Sequence, residues 1–507
     1  MRDPHLARPA RLDPHPFVRT SLAMNDTKIT DFPWGSPPPE SIKPPSRAAR
    51  FTAVSTLPVP ATALWDYHSR PGAFQRLSPP WKRVSVLEQV GGIAEGAHLL
   101  MRLAIGPFGV KWLARHGPAT APHVFSDLQE RGPFSYWFHR HRFEPAAEAA
   151  DGTSLIDDVT WRPPGGRLGH ILMGWKFRRD FNKMFQYRHR VTSHDLMRHA
   201  LGAKPMKIAI SGASGLVGTA LTGFLTTGGH TVLKLVRRAA AGPGEISWDP
   251  NAETVDVAAL EGVDAIIHLA GENVGGGRWT DERKASILHS RVRGTRALAK
   301  AIAAMQRKPS VFISASASGF YGDAHIGDSS PTADEDTAAG SGFLAEVCQQ
   351  WEAAAEPARA AGVRVVHPRI GVVLDPRGGA LEKLLTPFKL GVGGRVGSGE
   401  QWMSWISLDD LVGLIGHVLA DESISGPINA VAPEPVKQID FARVLGRVLR
   451  RPSFMPLPAF VVRKLFGEMG DSILLGGTRA RPAKANAAGF KFAFPELEGA
   501  LRHVLGR

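Results

Sequence analysis

The sequence of 507 residues predicts an α/β protein: a doubly wound parallel sheet over 206–432, preceded by an α+β domain over 49–200. Three observations predict it. From residue 206 onward, short apolar runs alternate with helical patterns, the arrangement that builds a parallel sheet covered on both faces. The first of these runs ends in a glycine turn, Lys-Ile-Ala-Ile-Ser-Gly-Ala-Ser-Gly-Leu-Val-Gly over 207–218. Before residue 200, a succession of strand-like runs is closed by one long helical pattern.

Residues 1–48 are rich in Pro, Arg and His and show no apolar period; Ser36-Pro37-Pro38-Pro39 can seed neither a helix nor a central strand, so a disordered tail is expected. Either Met1 or Met24 serves as a start. Next come a strand over 51–57, helical spacing over 61–77 broken by Pro71-Gly72, and strands over 84–90, 98–104, 110–116, 123–129, 136–143 and 155–161. Leu168, Ile171, Leu172, Trp175, Phe181, Met184 and Phe185 then recur at helical steps. A curved sheet against one long helix encloses an apolar space suited to a hydrophobic ligand. Residues 201–205 read as a linker.

In the second part, strands are expected near 207–211, 231–236, 264–269, 310–315, 363–367 and 427–430. Helices are expected near 216–227, 281–305 and 342–361. Thr280 is suited to cap the second of these, with Asp281 and Glu282 in its first turn. Residues 433–507 read as helices with proline-rich breaks, a C-terminal substrate or cap region.

Composition narrows the function classes. No apolar run reaches 18 residues and no secretory signal is evident, so no membrane span is expected. One cysteine, Cys348, rules out an internal disulfide framework and fits a reducing, cytoplasmic setting. Most of the net charge of +14 falls in 1–205, with about 28 Lys/Arg against about 17 Asp/Glu. No long basic block or nucleic-acid motif accompanies it, so a solvated basic face is expected rather than a nucleic-acid partner. Oligomeric state is not legible.

The turn over 207–218 carries the most chemistry. A strand, Gly212, Gly215 and Gly218, a helix and a second strand ending in Arg237-Arg238 make the layout of a dinucleotide-binding unit. Bare glycine backbone allows a diphosphate to approach, and a helix N-terminus favours its charge. Gly212, Ser214, Gly215, Leu216, Val217 and Gly218 are the expected cofactor-binding residues. Arg237 and Arg238 stand where NAD sites usually carry an acid; a base there favours the 2′-phosphate, so NADP is expected over NAD. The strand over 263–271 ends in Leu269-Ala270-Gly271, which would pass beneath the cofactor. His268 within it reads as a packed, hydrogen-bonded histidine. The strand over 311–317 ends in small hydroxyl residues: Ser316 is a candidate to bind a substrate oxygen and Tyr321 to donate a proton.

His139 and His141 share one face of a strand at metal-ligand spacing, but no third ligand is apparent, and Asp157 and Asp158 read as cross-strand partners of the basic residues. No metal is expected.

With these motifs in hand, residues 206–507 resemble the short-chain dehydrogenase/reductase superfamily of extended, epimerase type, and in particular its atypical epimerase-family branch. The glycine turn, His268–Gly271, Ser314–Ala317 with Tyr321-Gly322, Gly277–Thr280, Ser290–Thr295, Gly342–Cys348, Trp402–Asp410 and Arg481–Lys484 carry that resemblance. It implies a Rossmann fold, a nicotinamide cofactor and a small-molecule substrate. Residues 49–200 resemble the helix-grip, START-like superfamily of polyketide cyclase/dehydrase type through element order and His139–Phe143, which implies an apolar ligand.

The superfamily's Tyr-x-x-x-Lys pair is missing. The fourth residue after Tyr67, Tyr136, Tyr187 and Tyr321 is Pro71, Arg140, Val191 and His325, and Phe343 and Leu344 stand where the tyrosine would fall. Arg291 replaces the usual asparagine; Lys284, Arg291 and Glu346 are polar helix residues near the expected cleft. Three readings follow: an oxidoreductase using Ser316 and Tyr321 instead, a non-catalytic sensor of NADP(H) and an apolar ligand, and a lipid carrier.

Overall fold

A computed structural model describes residues 44–45, 48–105, 108–146, 152–202 and 204–507. The expected N-terminal tail lies outside the described residues, except for 44–45 and 48. The chain forms two compact units: the described residues up to Asp66 together with Ser85–Ser193, and Tyr67–Val84 together with His194–Arg507.

The first unit is built on seven strands: β1 (Ala49–Leu57), β2 (Val84–Val90), β3 (His98–Ile105), β4 (Phe108–His116), β5 (Val124–Arg131), β6 (Tyr136–Pro145) and β7 (Thr153–Arg162). They lie in the order β1-β7-β6-β5-β4-β3-β2. Period-two burial sets the inner face: on β6, Trp137, His139, His141 and Phe143 are buried while their neighbours are partly exposed. The register places Asp157 opposite both His141 and Ala53. Helices α1 (Ala61–Ser69) and α2 (Ala73–Arg76) follow β1, and α3 (Gly166–Ala200) follows β7.

Only part of α3 packs as the spacing predicts. Phe181 meets Trp161 and Trp137 at 5.2 and 5.4 Å between ring centres, and Phe185 meets Phe51 at 5.4 Å. Leu168, Ile171, Leu172 and Trp175 are instead exposed. Length explains the difference: 35 helical residues rise about 50 Å, whereas a ten-residue strand spans about 34 Å. Among the described residues, no helix is long and apolar enough to cross a membrane.

The second unit opens with β8 (Lys207–Ser211), α4 (Leu216–Thr227) and β9 (Thr231–Val236), followed by β10 (Glu245–Asp249), β11 (Thr254–Val255), α5 (Val257–Leu260) and β12 (Ala265–His268). Next come α6 (Asp281–Ala304), β13 (Val311–Ser314), β14 (Ser316–Ala317), α7 (Phe343–Ala353), α8 (Glu356–Ala360) and β15 (Arg364–Ile370). Two small pairs join β16 (Val372–Leu374) to β18 (Trp405–Ser407), and β17 (Trp402–Met403) to β20 (Val436–Lys437). Between them lie α9 (Gly379–Lys389), α10 (Leu408–Ala420) and β19 (Gly426–Ala430); α11 (Gln438–Leu449) and shorter helices complete the chain.

The large sheet runs β11-β10-β9-β8-β12-β13-β15-β14, with β19 also on β15, and all pairs except β10/β11 are parallel. Strand order reverses between β8 and β12, opening the crevice where such sheets bind ligands. Alternation puts Ile208 and Ile210 in one core with Leu221 and Phe224, and Ala209 in the other with Leu298 and Phe312. Thr280 caps α6 through the Arg283 amide as expected. The helix expected over 342–361 is broken, because Pro357 lies in the first turn of a separate helix, α8.

Residues 402–410 anchor the unit. Asp410 accepts from the Ala493 and Phe494 amides at 2.7 and 3.0 Å, and Asp409 pairs with Arg76 at 2.5 Å and with His503 at 2.7 Å.

Candidate functional site

The glycine turn joins β8 to α4 at the strand-order reversal. Gly212 takes φ +72°, and a Cβ there would lie 2.8 Å from the Ala270 amide nitrogen, so only glycine lets the ends of β8 and β12 meet. Gly218 is equally constrained: a Cβ would stand 2.1 Å from the Gly212 carbonyl oxygen. At Gly215, the N-cap of α4, a Cβ would meet only that oxygen, at 3.3 Å. The first and third glycines therefore shape the turn, while the second keeps its outer side bare. Ser214 and Gly215 are exposed, and Leu216 and Val217 begin the helix with amides that lack intrahelical acceptors. This is a cradle a diphosphate fits.

Leu269 donates its amide to the Ser211 carbonyl at 3.2 Å, which sets Leu269 and Ala270 against the turn. Gly271 faces Arg291, whose guanidinium also lies 5.0 Å from the Trp351 ring centre. His268 is fully buried, Nδ1 2.5 Å from Ser211 Oγ, and burial lowers its pKa to about 3. It is a packed neutral histidine, as the sequence suggests.

The two arginines that end β9 differ. Arg238 makes a two-point ion pair with Glu245, at 2.6 and 2.7 Å. Glu245 is drawn down to about 2, first by that hydrogen bond and then by the Ala241 amide. Arg237 is exposed and, among the described residues, has no hydrogen bond or ion pair.

Ser316 and Tyr321 are brought together, but through a buried network that sequence reasoning missed. Ser316 Oγ donates to Glu352 Oε1 at 2.7 Å. Arg369 donates to both Glu352 oxygens and, through Nη1, to the Tyr321 hydroxyl at 3.0 Å. Tyr321 in turn donates to Asn429 Oδ1 at 2.7 Å. Burial raises the Tyr321 pKa against the opposing effect of Arg369. Its signal in the sequence was Arg369, one of three basic residues in the Arg-Val-Val-His-Pro-Arg-Ile strand. Nearby, Lys284, Phe343, Glu346 and Glu468 line a cleft of about 440 Å³, across which Lys284 Nζ pairs with both Glu468 oxygens at 2.9 Å.

In the first unit, Asp158 pairs across the strands with Arg50 and Arg142, as expected. Asp157 likewise pairs across the strands with His139 and His141, and Asp127, which the sequence reading does not include, converges on the same two rings. Burial opposes a charged His139, yet the two carboxylates outweigh it and raise its pKa to about 9. Asp127 went unnoticed in the sequence; its signal was a carboxylate two residues from Phe125, on the inner-face period of β5.

Residues 208–430 match the NAD dependent epimerase/dehydratase family, 57–186 the polyketide cyclase/dehydrase and lipid transport family, and 457–504 a domain of unknown function, DUF1731. Epimerase family protein Mb2239 of Mycobacterium bovis is 42% identical over 300 residues, 59% of this chain and 98% of that protein. The crystal structure of the nucleoside-diphosphate sugar epimerase from Corynebacterium glutamicum superposes with TM-score 0.73 at 34% identity, covering 90% of each chain. That of human epimerase family protein SDR39U1 with NADPH superposes with TM-score 0.54 at 35% identity, covering 59% of this chain and 99% of the human one. The glycine cradle, the sheet order and these relatives agree: this chain belongs to the NAD-dependent epimerase/dehydratase family and carries an N-terminal polyketide cyclase-type domain.

Proposed function

We propose that the chain is an NADP(H)-binding, epimerase-family oxidoreductase acting on a small molecule, with an N-terminal helix-grip domain for an apolar ligand. The bare outer side of Gly215 carries this reading: it leaves the α4 N-terminus open to a diphosphate. Residues 212–218 would hold that group, with Leu269, Ala270 and Gly271 beneath. Arg237, which has no ion-pair partner among the described residues, would take the 2′-phosphate; Arg238 is already held by Glu245. The human relative's structure with NADPH supports the same choice of cofactor. When bound, the nicotinamide supplies or accepts hydride. Residues 433–507 act as a cap, and the Lys284–Glu468 cleft admits the substrate. In this reading Tyr321 Oη, fixed between Arg369 and Asn429, is the proton donor, and Ser316 orients it through Glu352 and Arg369.

A second reading, a non-catalytic sensor of NADP(H), is favoured by one observation. Tyr321 and Ser316 are only 4% and 2% exposed, and both hydroxyls are engaged by protein. Calorimetry with NADPH and NADH tests the shared part: the wild type favours NADPH, and Arg237→Ala removes about tenfold or more of that preference. Equal affinity for the two cofactors overturns it. NADPH oxidation with a carbonyl panel, lost in Tyr321→Phe, supports the enzyme; tight binding without turnover supports the sensor.

A further inference from the structure

The inner face of the first unit's sheet carries a second constellation. Asp127 on β5 pairs in register with His139 on β6, and Asp157 on β7 with His141. Asp157 stands on one side of both imidazoles: His139 Nε2 hydrogen-bonds to its Oδ1 at 2.9 Å, and His141 Nδ1 lies 2.6 Å from the same atom without hydrogen-bond geometry. The opposite nitrogens turn toward Asp127 Oδ2, His139 Nδ1 at 3.2 Å and His141 Nε2 at 3.8 Å. One ligand atom from each of Asp127, His139 and His141 lies within 4.8 Å of the other two.

A cross-strand salt-bridge cluster accounts for part of this geometry. Its longest leg, 3.8 Å, is within ion-pair reach but exceeds a hydrogen bond. Two donors on one tetrahedral ion, with bonds of about 2.1 Å, stand about 3.4 Å apart, and 3.2 and 3.8 Å bracket that spacing. The outer partners fit as well. A metal-bound histidine commonly gives its other nitrogen to a carboxylate, and His139 Nε2 is bonded in that way to Asp157 Oδ1, with His141 Nδ1 close to the same oxygen. Asp157 is itself fixed: its Oδ2 lies 2.7 Å from His189 Nε2, and His189 Nδ1 lies 2.8 Å from Ser55 Oγ. Phe125 stacks on His141 at 4.1 Å, which fixes the ring plane. The Asp127 side chain keeps 17% exposure, a path of entry.

We propose that Asp127, His139 and His141 bind a divalent first-row transition ion, oriented by Asp157. Two histidines and one carboxylate leave coordination positions open, as in sites that bind water or a ligand rather than closed structural sites. The ion would place an electrophile on the sheet face of a domain type that takes apolar ligands.

The test uses the full chain, stripped with chelator and titrated with cobalt(II) chloride, followed by visible absorption and elemental analysis; zinc chloride then competes. The expected result is one equivalent of cobalt with d–d bands of a low-coordinate nitrogen–oxygen site, displaced by zinc. Asp127→Asn removes the bands, and Asp157→Asn weakens binding about 10- to 100-fold. His98→Gln, changing a histidine on β3, leaves the bands intact. No saturable band in the wild type overturns the proposal, as does full-strength binding by Asp127→Asn. The wild-type titration decides the matter even if a variant fails to fold, and NADPH affinity is read separately, so failure of the cofactor reading is distinguishable.

Discussion

Arg369 donates to both carboxylate oxygens of Glu352, through Nε at 2.9 Å and Nη2 at 3.0 Å. This largely buried pair holds Ser316 on one side and Tyr321 on the other. Removing one partner strands the other charge, which costs far more than losing an exposed pair. Glu352→Ala is expected to lower stability by about 3–5 kcal/mol, read as a urea midpoint shift in tryptophan fluorescence. Tyr321→Phe, which removes one hydroxyl, is expected to cost about 1–3 kcal/mol. If the two variants were equally mild, the pair would not be organising this end of the sheet.

Gly215 and Gly218 should separate cofactor binding from folding. Gly215→Ala places its Cβ 3.3 Å from one carbonyl oxygen, so the fold adjusts by a few tenths of an ångström. Its melting temperature is expected to stay close to wild type while NADPH affinity drops at least tenfold. Gly218→Ala meets backbone at 2.1 Å and is expected to melt well below wild type. Differential scanning fluorimetry with and without NADPH reads both; unchanged NADPH stabilisation of Gly215→Ala would remove the cradle.

Acid should weaken the second unit through two buried histidines, His268 and His367, and the half-buried His199. Burial is the main cause in each case, lowering His268 from 6.5 to about 3, and His199 and His367 to about 4. Between these values and 6.5 the unfolded chain takes up protons that the folded chain refuses. Stability is therefore complete near neutrality and falls as pH drops from about 6.5 to about 4, by about 1.4 kcal/mol per pH unit for each histidine. Melting curves across that range should show the slope, and His367→Gln should flatten it. A melting temperature independent of pH over this interval would contradict the buried, neutral assignment.

Cys348 should be inert in the folded chain. Its side chain is buried, and burial first, then the Glu352 charge, push the thiol up to about 11. A disulfide reagent at neutral pH is expected to find no reactive thiol in native protein and one per chain in denaturant. Because the sequence holds a single cysteine, the count is unambiguous.

Local chemistry was readable in advance. Glycine conformational freedom marked the β8–α4 turn, and β-branched runs located the six expected strands of the large sheet. β10 was not foreseen: Glu-Ile-Ser-Trp-Asp alternates polar and apolar over only five residues, and its strand is completed by pairing with β9. α3 shows the opposite limit, since its apolar spacing could not reveal that the sheet ends before the helix does.

By itself the sequence determined the glycine turn, the alternating sheet and the absence of a Tyr-x-x-x-Lys pair, because each depends on residues close together in the chain. Tertiary structure decided which distant charges meet: Arg369 with Glu352 and Tyr321, Arg238 held by Glu245 while Arg237 has no partner among the described residues, and Asp127 beside His139 and His141. Strand register and helix docking fix such meetings. A buried charge selects its partner by three-dimensional distance, a quantity that no spacing along one strand contains.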